Sequence, residues 1–321
     1  MSDKILSGIH EAIGQTPLVE LSRLARRWQV EGRILAKLEY LNPGFSKKDR
    51  IALQIIEEAE KSGALKPGQA VVEVTSGNTG TGLAIVCTVK GYPFAAVMSK
   101  GNSPERVRMI QALGGEVILV DQAPGARPGY VSGEDLALVE EKAKTVARER
   151  KAFLADQFNN EANVRAHEYH TGEEIWRQSG GGVDAYVDFV GTGGTFAGCA
   201  RALKKHNPNI HCYIAEPAAA PYLSGGPVTC PDHKIQGGGY SRDLPLLAKD
   251  LVDGYVTVTD EEAVQAARDL ARIEGIFAGF SSGANVAAAR TLLMGREKGK
   301  SIALTINDCG LKYLSTDLYP C

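Results

Sequence analysis

The sequence lacks most of the features that would assign a chain to a class at once. Acidic and basic residues nearly cancel, 38 against 36, for a formal net charge of -2. No general field therefore draws the chain to nucleic acid or to an anionic membrane. No apolar run reaches membrane-spanning length, and Met1-Ser2-Asp3-Lys4 lacks the basic-then-apolar order of a secretory signal. A cytoplasmic protein with small neutral or anionic metabolites as partners is expected. Cysteine is sparse and scattered, at Cys87, Cys199, Cys212, Cys230, Cys309 and Cys321, which points to reduced thiols and not to a disulfide framework. His211-Cys212 and Cys230-Pro231-Asp232-His233 come nearest to a zinc site, but no second pair has ligand spacing, and no metal is expected. Internal repeats and low-complexity segments are absent too.

What is present is strand-helix alternation along 321 residues, a length at which two cores are the prior. Apolar strands are expected at 70–74, 93–98, 116–120, 152–154, 185–190, 212–215, 255–258 and 301–306. Between them fall helices at 80–90, 134–150, 163–178, 260–274 and 285–294, and one that Ser103 caps with Pro104 at its first position. Residues 121–133 and 217–246 read as loops. This alternation predicts an α/β fold with mostly parallel sheets flanked by helices.

The stretch Asn42-Pro43-Gly44-Phe45-Ser46-Lys47-Lys48-Asp49-Arg50 precedes Ile51, Ala52, Ile55, Ile56 and Ala59, the stripe of a core-facing helix. Ser46 and Asp49 approximate a capping box, which places Lys48 in the first turn. There the helix dipole disfavours an ammonium and favours a neutral, nucleophilic amine, suited to forming an imine with an aldehyde. A solvated surface lysine is the ordinary alternative.

Ligands of open α/β sheets collect at the carboxyl ends of strands, against helix N-termini. Three loops have that placement. Thr75-Ser76-Gly77-Asn78-Thr79-Gly80 offers hydroxyls and an amide and suits a carboxylate. Gly191-Thr192-Gly193-Gly194-Thr195 can form a backbone nest for a phosphate. Gly279-Phe280-Ser281-Ser282-Gly283-Ala284-Asn285 starts a further helix. Phe196 stands where a dinucleotide fingerprint needs glycine, and the P-loop lysine is missing. A phosphate site, a carboxylate site and a reactive lysine together suit pyridoxal 5'-phosphate and an amino-acid substrate.

These motifs, with Gly14-Gln15-Thr16-Pro17-Leu18, Gln157-Phe158 and Tyr313-Leu314-Ser315-Thr316, resemble the cysteine synthase (O-acetylserine sulfhydrylase) family of fold-type II pyridoxal-phosphate enzymes, almost from end to end. The resemblance implies two α/β domains with the cofactor between them: a smaller mobile one over 42–161, and a larger one from 1–41 plus 162–321. It implies a homodimer. It gives Lys48 the imine and the α-proton, Asn78 the ring hydroxyl oxygen, and Gly191, Thr192, Gly193, Gly194 and Thr195 the phosphate. Ser281 faces the ring nitrogen, which a hydroxyl does not hold protonated as an aspartate would. Thr75, Ser76, Thr79 and Gln157 receive the substrate carboxylate.

The reaction implied is β-replacement through an aminoacrylate, making cysteine from O-acetyl-L-serine and sulfide. The alternative is a cysteine-consuming lyase that releases sulfide and yields serine or a thioether amino acid. A non-catalytic amino-acid-binding relative is a third reading. Departures from the family's pattern bear on that choice. Lys47 replaces an apolar residue and is expected to be solvated. Tyr240-Ser241-Arg242-Asp243 replaces a small, apolar run at the mouth of the site, where either Asp243 activates water or binds an amino group, or the loop turns outward. Tyr240 or Arg242 would bind an extra anion.

Overall fold

A computed structural model describes residues 5–125 and 131–319 of the protein. Part of the connection expected over 121–133 lies outside the described residues. The elements in chain order are β1 (Leu18–Glu20), α1 (Ser22–Arg27), β2 (Arg33–Leu38), α2 (Lys48–Ser62), β3 (Val71–Val74), α3 (Asn78–Lys90), β4 (Phe94–Ser99), α4 (Pro104–Ala112), β5 (Glu116–Val120), α5 (Gly133–Glu149) and β6 (Phe153–Leu154). They continue through α6 (Ala162–Ala166), α7 (Glu173–Gln178), β7 (Ala185–Phe189), α8 (Gly194–His206), β8 (His211–Pro217), β9 (Gly254–Val258), α9 (Asp260–Asp269), α10 (Phe280–Met294) and β10 (Ser301–Ile306).

Two sheets result. One has the order β1-β2-β10-β7-β8-β9, and the other β5-β4-β3-β6. All neighbouring strands run parallel except β1 against β2, where Val19 faces Ala36. The strands read as continuous apolar runs because helices cover both faces of each sheet. The fold is α/β, of the kind the alternation predicts.

Two helices keep their expected spans but change type within them, and a third starts earlier than expected. The helix expected over 163–178 is α6 and α7 joined by a π-helical stretch, His167–Gly172, and α9 likewise continues as a π-helical Leu270–Glu274. α10 starts at Phe280, so Ser281 lies in its first turn and not in a preceding loop.

α2 buries Ile51, Ala52, Ile55, Ile56 and Ala59, the stripe its spacing predicts, against Leu83 and Ala84 of α3. Each fully buried aliphatic side chain stabilises by about 1.5–3 kcal/mol. α3 approaches the lysine turn closely at Gly82, where an added Cβ would lie 3.0 Å from Asp49 Cα and 3.1 Å from Lys48 O.

The start of α2 is tied to the larger sheet by charge. Arg50 Nε donates to Glu39 Oε2 at 2.7 Å and its Nη1 to Glu174 Oε1 at 2.7 Å, while Lys37 Nζ lies 2.6 Å from Glu174 Oε2. All four side chains are buried. Burial works against the Glu174 carboxylate, but the hydrogen bonds and charge of Arg50 outweigh it and hold its pKa low. Such buried groups persist only when each is paired.

Candidate active site

Lys48 is the first residue of α2 and lies where two cavities meet. The first is lined by Gly191, Thr192, Gly193 and Thr195, with Ser281 and Asn307; the second by Thr75, Ser76, Thr79, Gln157, Phe158 and Tyr240. Asn78, Tyr313 and Gly237 border both. The structure thus gathers every expected site residue around one amine, with Gly194 in the phosphate loop and Asp243 the exception.

The Lys48 pKa falls to about 7, chiefly through burial and then through the neighbouring Lys47 ammonium; Asp188 and Glu73 pull the other way. The helix start is as expected, but its cap is not. Ser46 Oγ accepts from Lys48 N at 3.3 Å, whereas Asp49 accepts from Gly44 N instead of returning to Ser46. The capping box therefore does not form. Burial raises the Asp49 pKa to about 7, against the opposing pull of Lys312.

Lys47 corrects a second expectation. It is buried, with Nζ 3.0 Å from Asp188 Oδ1 and 3.2 Å from Oδ2, because the turn before α2 is pinned to the residues that follow β10: Ser46 bridges Asp308 and Lys47 N donates to Asn307 O. The signal for this partner was an acidic residue inside the otherwise apolar strand Ala185–Phe189.

α8 has no side-chain cap: its N-cap is Gly193, at φ +85°, and an added Cβ there would lie 3.1 Å from Leu247. Thr192 Oγ1 is held by Asn163 Nδ2 at 2.9 Å, and Thr195 Oγ1 lies 3.2 Å from Nε2 of buried His167, whose pKa burial pushes well down. Uncapped first-turn N–H groups beside neutral hydroxyls fit a phosphate.

Across the cavity, Ser281 Oγ accepts from Asn307 Nδ2 at 3.0 Å. Asn78 lies between these ends. Its Oδ1 accepts from Lys312 Nζ at 2.6 Å and its Nδ2 donates to Asp308 Oδ2 at 2.8 Å, leaving one N–H for a ligand. Lys312 and Asp308 were not singled out from sequence; both follow β10 and precede Tyr313, whose hydroxyl donates to Asp308 Oδ2 at 2.7 Å.

In the second cavity Thr75 Oγ1 accepts from Gly77 N at 2.9 Å and Gly80 N at 3.0 Å, so its hydroxyl proton is free for a ligand. Thr79 differs: its proton goes to Gln157 Oε1 at 2.7 Å, which orients the Gln157 amide, itself donating to Val74 O at 2.7 Å. Arg106, also missed in the sequence, is 4% exposed, donates to Ser76 O at 2.9 Å and Gln236 Oε1 at 2.9 Å, and joins α4 to the loop at 236.

The mouth loop divides. Tyr240 lines the cavity and meets Phe158 edge-on at 6.2 Å. Arg242 donates to Glu140 Oε1 at 2.7 Å and lies over the Phe158 ring, 5.3 Å from its centroid, behind the cavity wall. Asp243 is turned outward: its side chain is 78% exposed and lies 3.4 Å from Lys249 Nζ. The structure does not bring it to Lys48, since Leu244, Leu246 and Leu247 on its C-terminal side take the buried positions.

A reactive amine, an uncapped glycine-rich helix start and a hydroxyl facing them are the donor set for a phosphate-bearing aldehyde, and pyridoxal phosphate fits it. The profile of the pyridoxal-phosphate dependent enzyme family matches residues 9–308. A cysteine synthase of Staphylococcus aureus is 41% identical over 320 residues, covering 99% of each chain. Among solved structures, O-acetyl serine sulfhydrylase isoform 3 from Entamoeba histolytica superposes with a TM-score of 0.90 at 37% identity, over 99% of this chain and 93% of that one. A hydrogen sulfide-producing enzyme from Fusobacterium nucleatum does so with a TM-score of 0.88 at 38% identity, over 97% of this chain and all of the other (100%).

Proposed function

This chain belongs to the pyridoxal-phosphate dependent enzyme family, and from that premise we propose that it makes cysteine by β-replacement, exchanging the acetoxy group of O-acetyl-L-serine for sulfide. The observation that carries this reading is the meeting of two cavities at Lys48, one with the donors for a phosphate and the other with hydroxyls and amides for an amino-acid carboxylate.

Bound there, pyridoxal phosphate supplies an electron sink that lets a β-substituent leave once the α-proton has gone. Lys48 is the amine that would hold the cofactor covalently, and it is placed to take and return the α-proton as general base. Burial lowers its pKa to about 7, which favours the free amine that the proton transfer needs. The N–H groups of residues 191–195 would anchor the phosphate, Asn78 would bond the ring hydroxyl, and Ser281 would bond the ring nitrogen. Thr75, Ser76 and Gln157 receive the substrate carboxylate, while Thr79 orients Gln157.

Residues 42–161 close over the substrate and exclude water from the reacting carbon. The protein acts as a homodimer, a reading consistent with exposed Ile5, Leu6 and Ile9 near its start. The described cysteines are all free thiols, which suits the cytoplasm.

Tyr240 in the cavity wall favours a second reading, in which L-cysteine loses sulfide and water or another thiol adds. Visible spectra with O-acetyl-L-serine and with L-cysteine, followed by product identification, separate the two. Cysteine formed from O-acetylserine and sulfide supports the synthase. Prompt sulfide release with serine formation from L-cysteine alone overturns it.

A further inference from the structure

Ser281 has a single hydroxyl proton, and its neighbours decide where that proton points. A run of side chains, each at least nine-tenths buried, leads to it from Lys47. Lys47 Nζ donates to Asp188 Oδ1 at 3.0 Å and lies 3.2 Å from Oδ2. Thr305 Oγ1 lies 3.1 Å from Asp188 Oδ1 and 2.6 Å from Asn307 Oδ1. Asn307 Nδ2 donates to Ser281 Oγ at 3.0 Å. Asn285 Nδ2 closes the far side, 3.3 Å from Asp188 Oδ1 and donating to Thr305 O at 2.8 Å.

Thr305 has one proton and two acceptors, so two polarities of the run are self-consistent, because an amide's oxygen and nitrogen are defined by the network around them. In the first, Thr305 donates to Asn307 Oδ1, the Asn307 amide donates to Ser281, and the Ser281 proton is left for the cavity. In the second, Thr305 donates to Asp188 and the Asn307 amide turns over. Its nitrogen then donates to Thr305, its oxygen takes the Ser281 proton, and Ser281 offers the cavity lone pairs alone. Lys47 selects the first. Its ammonium and Asn285 satisfy the Asp188 carboxylate without Thr305, and the shorter of the two Thr305 distances, 2.6 Å, is the one to Asn307.

We propose that Lys47, Asp188, Thr305 and Asn307 are positioning residues that fix Ser281 as a hydrogen-bond donor, so that the ring nitrogen of bound pyridoxal phosphate stays an unprotonated acceptor. This rests on the assignment of Ser281 to that nitrogen under the proposed function. Its consequence is a weak electron sink, suited to prompt loss of a β-substituent.

The test is the 15N resonance of holoenzyme carrying cofactor labelled at the ring nitrogen, with borohydride trapping at Lys48 run in parallel. The wild type is expected in the range of a free pyridine. Asn307→Asp presents a carboxylate that accepts from both Thr305 and Ser281, so the resonance moves upfield toward the pyridinium range. Lys47→Met frees Asp188 to take the Thr305 proton and gives the same displacement; Lys47→Met/Asp188→Ala returns it to the wild-type position. A resonance unmoved in both single variants, or a wild type already in the pyridinium range, overturns the relay while the Lys48 adduct stands. A merely structural role would lower melting temperatures without moving the resonance. Failure of the wild type to form the Lys48 adduct overturns the Ser281 assignment and the relay together.

Discussion

The floor of the cleft and its mouth are built on opposite principles. At the floor, Lys37, Glu39, Arg50, Glu174, Lys47 and Asp188 are buried, each with a partner at hydrogen-bond distance. At the mouth, Asp243 pairs with Lys249 across two side chains that are 78% and 67% exposed. Burial leaves a charge one tolerable arrangement, whereas solvent accepts many at almost the same free energy. The floor therefore sets the position of the reactive lysine, and the mouth is free to vary with the substrate.

The largest effect should come from the floor's reactive centre. Lys48→Ala is expected to lower kcat roughly 10²–10⁴-fold and to abolish the borohydride adduct, measured by steady-state kinetics and mass spectrometry; a variant keeping a tenth of wild-type activity would remove Lys48 from the chemistry. The same lysine carries a pH signature. Its folded-state pKa, about 7, lies below the ordinary 10.5, so the cost of holding the ammonium is fully present below pH 7 and lifts as pH rises toward 10.5. Cofactor capture by apoenzyme should have a midpoint near pH 7 in stopped-flow absorbance, and a midpoint near 10 would contradict it.

Arg50→Met removes the cation between two buried carboxylates and should cost about 3–5 kcal/mol, read from denaturant unfolding. A loss under 1 kcal/mol would show that the floor is not held by charge. Gly193→Ala puts a side chain at φ +85°, a strain of about 1–2 kcal/mol, and should raise the cofactor Kd about tenfold in titrations of apoenzyme.

The mouth should respond less. Tyr240→Ala is expected to lower kcat/KM about tenfold, mainly through KM. Asp243→Asn should leave kcat and KM unchanged and stability within about 0.5 kcal/mol. A large rate loss in Asp243→Asn would restore this residue to the site and erase the contrast between the two regions.

Legibility in the sequence followed the same division. The α2 stripe, the uncapped glycine loop at 191–195 and the hydroxyl loop at 75–80 were all readable, because each is a local pattern at the end of a strand. Lys47 was misread as solvated because its partner Asp188 is 141 residues away, while its acidic neighbour Asp49 is engaged by Gly44 N. Arg106 and Lys312 escaped notice for the same reason, since their partners, Gln236 and Asn78, lie 130 and 234 residues off. Sequence left the direction of Asp243 open between cavity and solvent, because a loop's side of the mouth depends on which of its neighbours find a core.

The sequence by itself determined the alternation of strands and helices, the lysine at a helix start and the loops that gather at strand ends, since periodicity, capping and glycine chemistry act over a few residues. Only the tertiary structure decided that Lys47 is buried, that Thr79 serves Gln157, that Asp243 faces water and that a polar run ends on Ser281. Those outcomes depend on which distant groups share a desolvated space, where an unpaired charge is too costly to persist.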